Sequence, residues 1–214
     1  TVAPLANGQH PVPRNLYLWN EQLFQTWGQV LGSMHALAKQ YPYWEKPAQG
    51  LPDTLLDDWR KEHRFFAEWC KEPKITTKWL TLGGFFESLP RDRSCYGLIH
   101  NDLHQMNFFY NPDARGVHPI TIIDFDVCAY HWFFTDIAIA LYHAITHQSL
   151  KGLAERRSFA RHFLNFFLQG YRQEIDLDDT WLSFLPEFTK YREILIYIAL
   201  SNSWPEETRH PWQK

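Results

Sequence analysis

His100-Asn101-Asp102-Leu103-His104-Gln105-Met106-Asn107, followed by Ile122-Ile123-Asp124-Phe125-Asp126, is the stretch on which both fold and chemistry turn. It sets a carboxylate (Asp102), an amide (Asn107) and a second carboxylate (Asp124) on two segments joined by a short apolar hairpin. One carboxylate can accept a hydroxyl proton. An amide oxygen and another carboxylate can hold a hard cation such as Mg²⁺. Passage of a phosphoryl group from a nucleotide to a hydroxyl asks for that combination.

Working outward, Tyr96 to Ile99 reads as a short extended entry to this loop. Asn107 to Tyr110 and Ile120 to Ile123 are short aromatic or β-branched runs on either side of the turn-rich Asn111-Pro112-Asp113-Ala114-Arg115-Gly116, so a β-hairpin is expected. Before them, Trp19 to Gln40 carries Leu23, Trp27, Val30, Leu31, Met34, Leu37 and Ala38 at helical spacing and stops at Tyr41-Pro42. A Pro/Gly-containing connection, Pro47 to Pro52, precedes a second helix that runs to about Cys70, with Asp53 expected as its cap. Ile75 to Leu89 is a third. From Thr135 the pattern is helical again, over Asp136 to Gln148, Ala154 to Tyr171 and Asp179 to Leu200, the last broken or restarted near Pro186. The expected fold class is mainly α with one small hairpin bearing the polar set.

Each polar residue has a plainer alternative. Asp102 could be a solvated turn-former, and Asn107 a turn cap at the start of the hairpin. Asp124 follows the apolar Ile120-Thr121-Ile122-Ile123, where a carboxylate is costly unless paired or metal-bound. Asp126 would share its face if the strand continued, as a further metal ligand or a structural group. His100 and His104 have H-x-x-x-H spacing, which on a helix suits zinc. The missing Glu and the extended residues before His100 favour instead a buried scaffold role for His100, and for His104 a catalytic place at the cleft edge, near the phosphates or the acceptor. His143 and His147 read as two histidines on a helix surface. Asp136 stands at a helix start, as an N-cap or as a brace on the Asp102 loop. There is no G-x-S-x-G elbow and no Walker A sequence.

Composition narrows the classes. A net charge of −3 gives no basic face for nucleic acid. Three widely spaced cysteines without a C-x-x-C pair argue against a disulfide framework and suit a reducing cytoplasm. No apolar run is long enough to cross a membrane. Aromatics at 17% are high; they belong either to the core or to a cleft that holds an organic cation.

With these residues in view, the chain resembles the aminoglycoside phosphotransferase/choline kinase family, whose fold is similar to that of protein kinases. The resemblance rests on the Asp102 to Asn107 spacing, which matches H-R-D-x-x-x-x-N, and on Ile123-Asp124-Phe125, Asp136-Ile137-Ala138 and Gly28 to Leu37 with its Leu-His pattern. Asn101 is similar to choline kinases, and Asp126 stands where protein kinases have Gly. The resemblance implies Asp102 as catalytic base, Asn107 and Asp124 as Mg²⁺ ligands, and Asp136 as brace. It implies ATP as co-substrate and a small hydroxyl-bearing molecule as acceptor. It also implies a C-terminal lobe only: residues 1–15 as hinge or lead-in, 16–214 as the helical catalytic lobe, and the N-terminal β lobe absent. No strands, Gly-rich loop or phosphate-positioning Lys precede Trp19, so a truncated piece, inactive alone, is expected over a natural stand-alone lobe. The other function class is a non-catalytic, pseudokinase-like binding module, against which the intact Asp102, Asn107 and Asp124 count.

Overall fold

The computed structural model describes residues 6–41, 58–115 and 118–203. In chain order these form α1 (Glu21–Gln40), α2 (Trp59–Trp69), α3 (Pro73–Glu87), β1 (Tyr96–Ile99), β2 (Phe108–Tyr110), β3 (Ile120–Ile122), β4 (Ala129–Trp132), α4 (Phe133–Thr146), α5 (Gly152–Tyr171), a 3₁₀ helix (Asp179–Phe184) and α6 (Leu185–Ser203). Asn20 caps α1 by accepting from the Leu23 amide at 3.1 Å. Asp58 caps α2 through the Arg60 amide at 2.6 Å; Asp53, the expected cap, lies outside the described residues.

α1 and α5 pack at very short range, because Gly28 and Gly170 stand where the helices touch. A Cβ on Gly28 would lie 1.8 Å from the Phe167 carbonyl oxygen, and one on Gly170 1.8 Å from that of Gln25. Trp27, fully buried beside this crossing, meets Phe163, Phe167 and the hairpin residue Phe108, whose ring centroid is 5.0 Å away. The α1–α5 pair is therefore the floor under the hairpin. A second apolar cluster, Trp59, Trp79, Phe86, Trp132, Phe188 and Tyr191, joins α2, α3, β4 and α6. These six aromatics are buried core, so the cation-holding alternative has no support in them.

β2 and β3 form the expected antiparallel hairpin, with Phe108 opposite Ile122 and Tyr110 opposite Ile120. The lead-in lies along its edge: Gln9 and Tyr110 exchange backbone hydrogen bonds at 2.9 and 3.1 Å, and His10 Nδ1 is 2.9 Å from the Phe108 carbonyl oxygen. A second two-stranded sheet pairs β1 with β4, Tyr96 opposite Trp132 and Ile99 opposite Ala129. β4 was not expected, and α4 begins two residues before Thr135. β4 is buried on both faces, so its residues lack the alternation that marks a half-exposed strand.

Candidate active site

The loop from His100 to Asn107 connects β1 to β2 and is not helical. That removes the one-face geometry on which a zinc reading of His100 and His104 depended. Among the described residues, no three His, Cys, Asp or Glu side chains converge on a point that could hold a metal. Successive tight turns shape the loop, with the His104 amide on the Asp102 carbonyl and the Asn107 amide on the His104 carbonyl, both at 2.8 Å. Asn101 adopts left-handed backbone (φ 64°), which asparagine tolerates better than most residues.

Asp136 holds the loop from α4. Its side chain is fully buried, accepting the His100 amide at 3.0 Å on Oδ2 and the Asn101 amide at 2.8 Å on Oδ1. His35 of α1 approaches Oδ2 through Nε2 at 3.2 Å, and its Nδ1 is 2.8 Å from the Tyr171 hydroxyl of α5. The N-cap alternative is corrected: α4 starts at Phe133, its N-cap is Trp132, and Asp136 sits inside the first turn facing the loop. His100 is fully buried, with Nε2 3.1 Å from the Ile123 carbonyl oxygen, so it ties the loop to the far strand of the hairpin.

The Asp102 carboxylate stands between two donors. Arg192 of α6 donates to Oδ1, and Asn107 Nδ2 donates to Oδ2 at 3.1 Å and to the Asp102 carbonyl at 2.8 Å. His104 Nε2 lies 3.6 Å from Oδ2, beyond hydrogen-bond length, so Arg192 and Asn107 are the direct partners. Burial pushes the Asp102 carboxyl up, but the neighbouring His104 and Arg192 outweigh it and hold the group at about 2. Asp102 is therefore a carboxylate throughout the neutral range.

Asn107 and Asp124 lie at the same end of the hairpin, because the Ile123 amide donates to the Asn107 carbonyl at 3.0 Å and Asp124 follows directly. The Asn107 Nδ2 donates to Asp102 at both points, which leaves the amide oxygen as the atom that could coordinate a cation. Asp124 departs from expectation in one respect: it is exposed, in left-handed backbone (φ 64°), so no burial penalty attaches to it. β3 ends at Ile122, and Asp126 lies exposed in the next turn, so the alternation that would have placed Asp126 on the Asp124 face does not occur. A neutral amide oxygen and an exposed carboxylate at one hairpin end are donor types that fit a hard divalent cation.

Four participants were missed: His143, Arg192, Glu62 and Tyr191. His143, expected on a helix surface, is buried; its Nε2 accepts from Arg192 Nε at 3.2 Å and Nη2 at 2.9 Å, and its ring stacks on His104 at 4.5 Å. Burial, with Arg192 beside it, pushes His143 down to about 2. His147 is exposed, as expected. Glu62 of α2 accepts from Asn101 Nδ2 at 2.7 Å and from the Tyr191 hydroxyl at 3.0 Å, and burial raises its carboxyl. No local sequence signal marks Arg192, Glu62 or Tyr191; only long-range packing brings them to the loop.

The profile of the phosphotransferase enzyme family (APH) matches residues 16–174. Amicoumacin kinase of Bacillus subtilis (strain 168) is 33% identical over 179 residues, covering 84% of this chain and 51% of the relative. Among solved structures, amicoumacin kinase hAmiN in complex with AMP-PNP, Ca²⁺ and Ami superposes with a TM-score of 0.81 at 31% identity, covering 98% of this chain and 59% of that one. The microcompartment-associated aminopropanol kinase, at 22% identity and a TM-score of 0.64, covers 91% of this chain and 57% of its own and shares the fold. The chain thus spans about half the length of the curated relative it matches.

Proposed function

The chain belongs to the phosphotransferase enzyme family, and from that premise we propose that it is the catalytic C-terminal lobe of a kinase that moves the γ-phosphoryl group of ATP to a hydroxyl of a small molecule. The observation that carries this reading is the Asp102 carboxylate, fixed by Arg192 and Asn107, next to the hairpin end that bears Asn107 and Asp124. Asp102 receives the acceptor hydroxyl on a free lone pair and orients its oxygen toward phosphorus. A carboxyl held at about 2 is a weak base, so it takes the proton late, as the bond to phosphorus nears completion. His104, stacked on His143, borders the carboxylate on the Oδ2 side. His100 and Asp136 brace the loop.

Asn107, through its amide oxygen, and Asp124 would hold Mg²⁺, which when bound neutralises charge on the transferring phosphates. Asp126 is given no part in this. The acceptor pocket is built from the helices around residues 53–90 and 136–200, which take in α2 to α6. In line with the 51% coverage of the curated relative, residues 16–214 are read as the helical lobe and 1–15 as the lead-in from the nucleotide-covering part, so the lobe by itself binds nucleotide weakly and does not turn over. Three free cysteines support work in a reducing compartment, the cytoplasm; among the described residues no helix is long and apolar enough to cross a membrane.

Amicoumacin, by likeness to the curated relative, is the first acceptor to test. Phosphoryl transfer from ATP would be assayed with the chain alone and with the chain joined to any N-terminal sequence its gene encodes. Asp102→Asn is expected to lower turnover on the order of 10²–10⁴-fold. Turnover that survives Asp102→Asn unchanged sinks the assignment.

A further inference from the structure

Arg192 lies well outside the loop in sequence, is only 7% exposed, and spends its guanidinium on two groups: the Asp102 carboxylate and His143 Nε2. The preceding residue, Tyr191, is 2% exposed and reaches the neighbouring loop residue by a separate route, its hydroxyl donating to Glu62 and Glu62 accepting from Asn101 Nδ2. Two adjacent residues of one helix therefore hold two adjacent residues of the catalytic loop. We propose that Arg192, with Tyr191 beside it, makes α6 the positioning element of the catalytic loop, setting the direction in which Asp102 presents its carboxylate to the acceptor.

The chemistry of the contacts supports this. An aspartate on a loop has a broad terminal torsion, and two donors on opposite oxygens remove that freedom. An ionised carboxylate offers about four lone-pair sites; Arg192 and Asn107 take one each on different oxygens, so docking room for a hydroxyl remains. Arg192 is anchored in turn. His143 accepts from it in a neutral form, and His143 belongs to α4, the helix that also bears Asp136. A guanidinium can serve both partners because its fork is planar and fixed, whereas a lysine ammonium is a point charge. The charged and titratable groups around Asp102 are thus Arg192 from α6, His143 from α4, Glu62 from α2 and His104 from the loop itself. This inference rests on the kinase reading for its kinetic consequence but not for the clasp.

Two experiments separate the inference from that reading. In the active protein, Arg192→Met is expected to lower kcat on the order of 10²-fold with KM for ATP within about twofold, Arg192→Lys to recover part of the loss, and Tyr191→Phe to cost less. An Arg192→Met protein that folds and keeps wild-type kcat overturns the proposal, because a purely structural role would show in stability alone. If no turnover is found with any acceptor, the clasp is still tested by urea midpoints in the chain. The shift caused by Arg192→Met is expected to shrink by more than half in an Asp102→Asn background. Additive midpoints overturn the proposal. Where Arg192→Met does not fold, Arg192→Lys is carried through the same cycle with the same criterion.

Discussion

Replacing Asp136 by alanine removes one side chain and strands two backbone donors. The amides of His100 and Asn101 both belong to residues at most 4% exposed, and both give their hydrogen bonds to this carboxylate. Hydrogen bonds to a charged partner are worth about 1.5–3 kcal/mol each, and a buried donor left unmet costs on that scale. His35 Nε2 loses its contact as well. A water entering the space returns part of the cost, so Asp136→Ala is expected to destabilise by about 3–5 kcal/mol. Against a total of about 5–15 kcal/mol for a domain that is a large share, and it corresponds to a fall in Tm of roughly 6–20 °C. Asp136→Asn keeps one acceptor oxygen but turns an NH₂ toward donors, and should fall in between. Urea unfolding followed by tryptophan fluorescence and circular dichroism measures both. An Asp136→Ala variant within about 1 kcal/mol of wild type would refute the claim that this carboxylate supports the loop.

Three further outcomes are expected from the same packing and hydrogen bonding. Gly28→Ala or Gly170→Ala should cost more than about 2 kcal/mol or prevent folding, since the added methyl meets backbone oxygen at 1.8 Å; Gly84→Ala in α3, where nothing stands within 4 Å, should stabilise by up to about 1 kcal/mol, both read from denaturation midpoints. His131, held at about 3, and His143, at about 2, are neutral in the fold but protonate near 6.5 when unfolded. Their contribution is therefore complete above 6.5 and is lost as pH falls below it, at about 1.4 kcal/mol per pH unit for each; unfolding at pH 7, 6 and 5 should show the slope, and His131→Gln should flatten it. Tyr191→Phe removes the hydroxyl that Glu62 accepts from at 3.0 Å and should cost about 1 kcal/mol in the same assay.

Some of this was legible in the residues and some was not, for physical reasons. The hairpin and the helices carry local signals, turn residues and period-3.6 apolar spacing, and these are present at Asn111-Pro112-Asp113 and along α1. β4 escaped because burial on both faces erases alternation and because its partner β1 lies far upstream. His143 was misplaced because α4 is buried almost all round, so i, i+4 spacing marks no solvent face there. Asp124 was expected to need a partner against burial and instead lies exposed. Arg192 and Glu62 look like ordinary helix charges in sequence, and their meaning arises only when α2 and α6 close on the loop.

The Ile123–Asn107 backbone hydrogen bond has a mechanical consequence. It ties the Asn107 backbone to the residue before Asp124, so the two residues proposed to bind Mg²⁺ share one end of the hairpin. Asp102 moves with a different body, clasped to α6 through Arg192. The Asn107 amide, which donates to Asp102 at two points, is the pin between these bodies. Strain passes between loop and hairpin through this side chain and through the His100 contact to the Ile123 carbonyl, which makes Asn107 a transmission part as well as a proposed ligand.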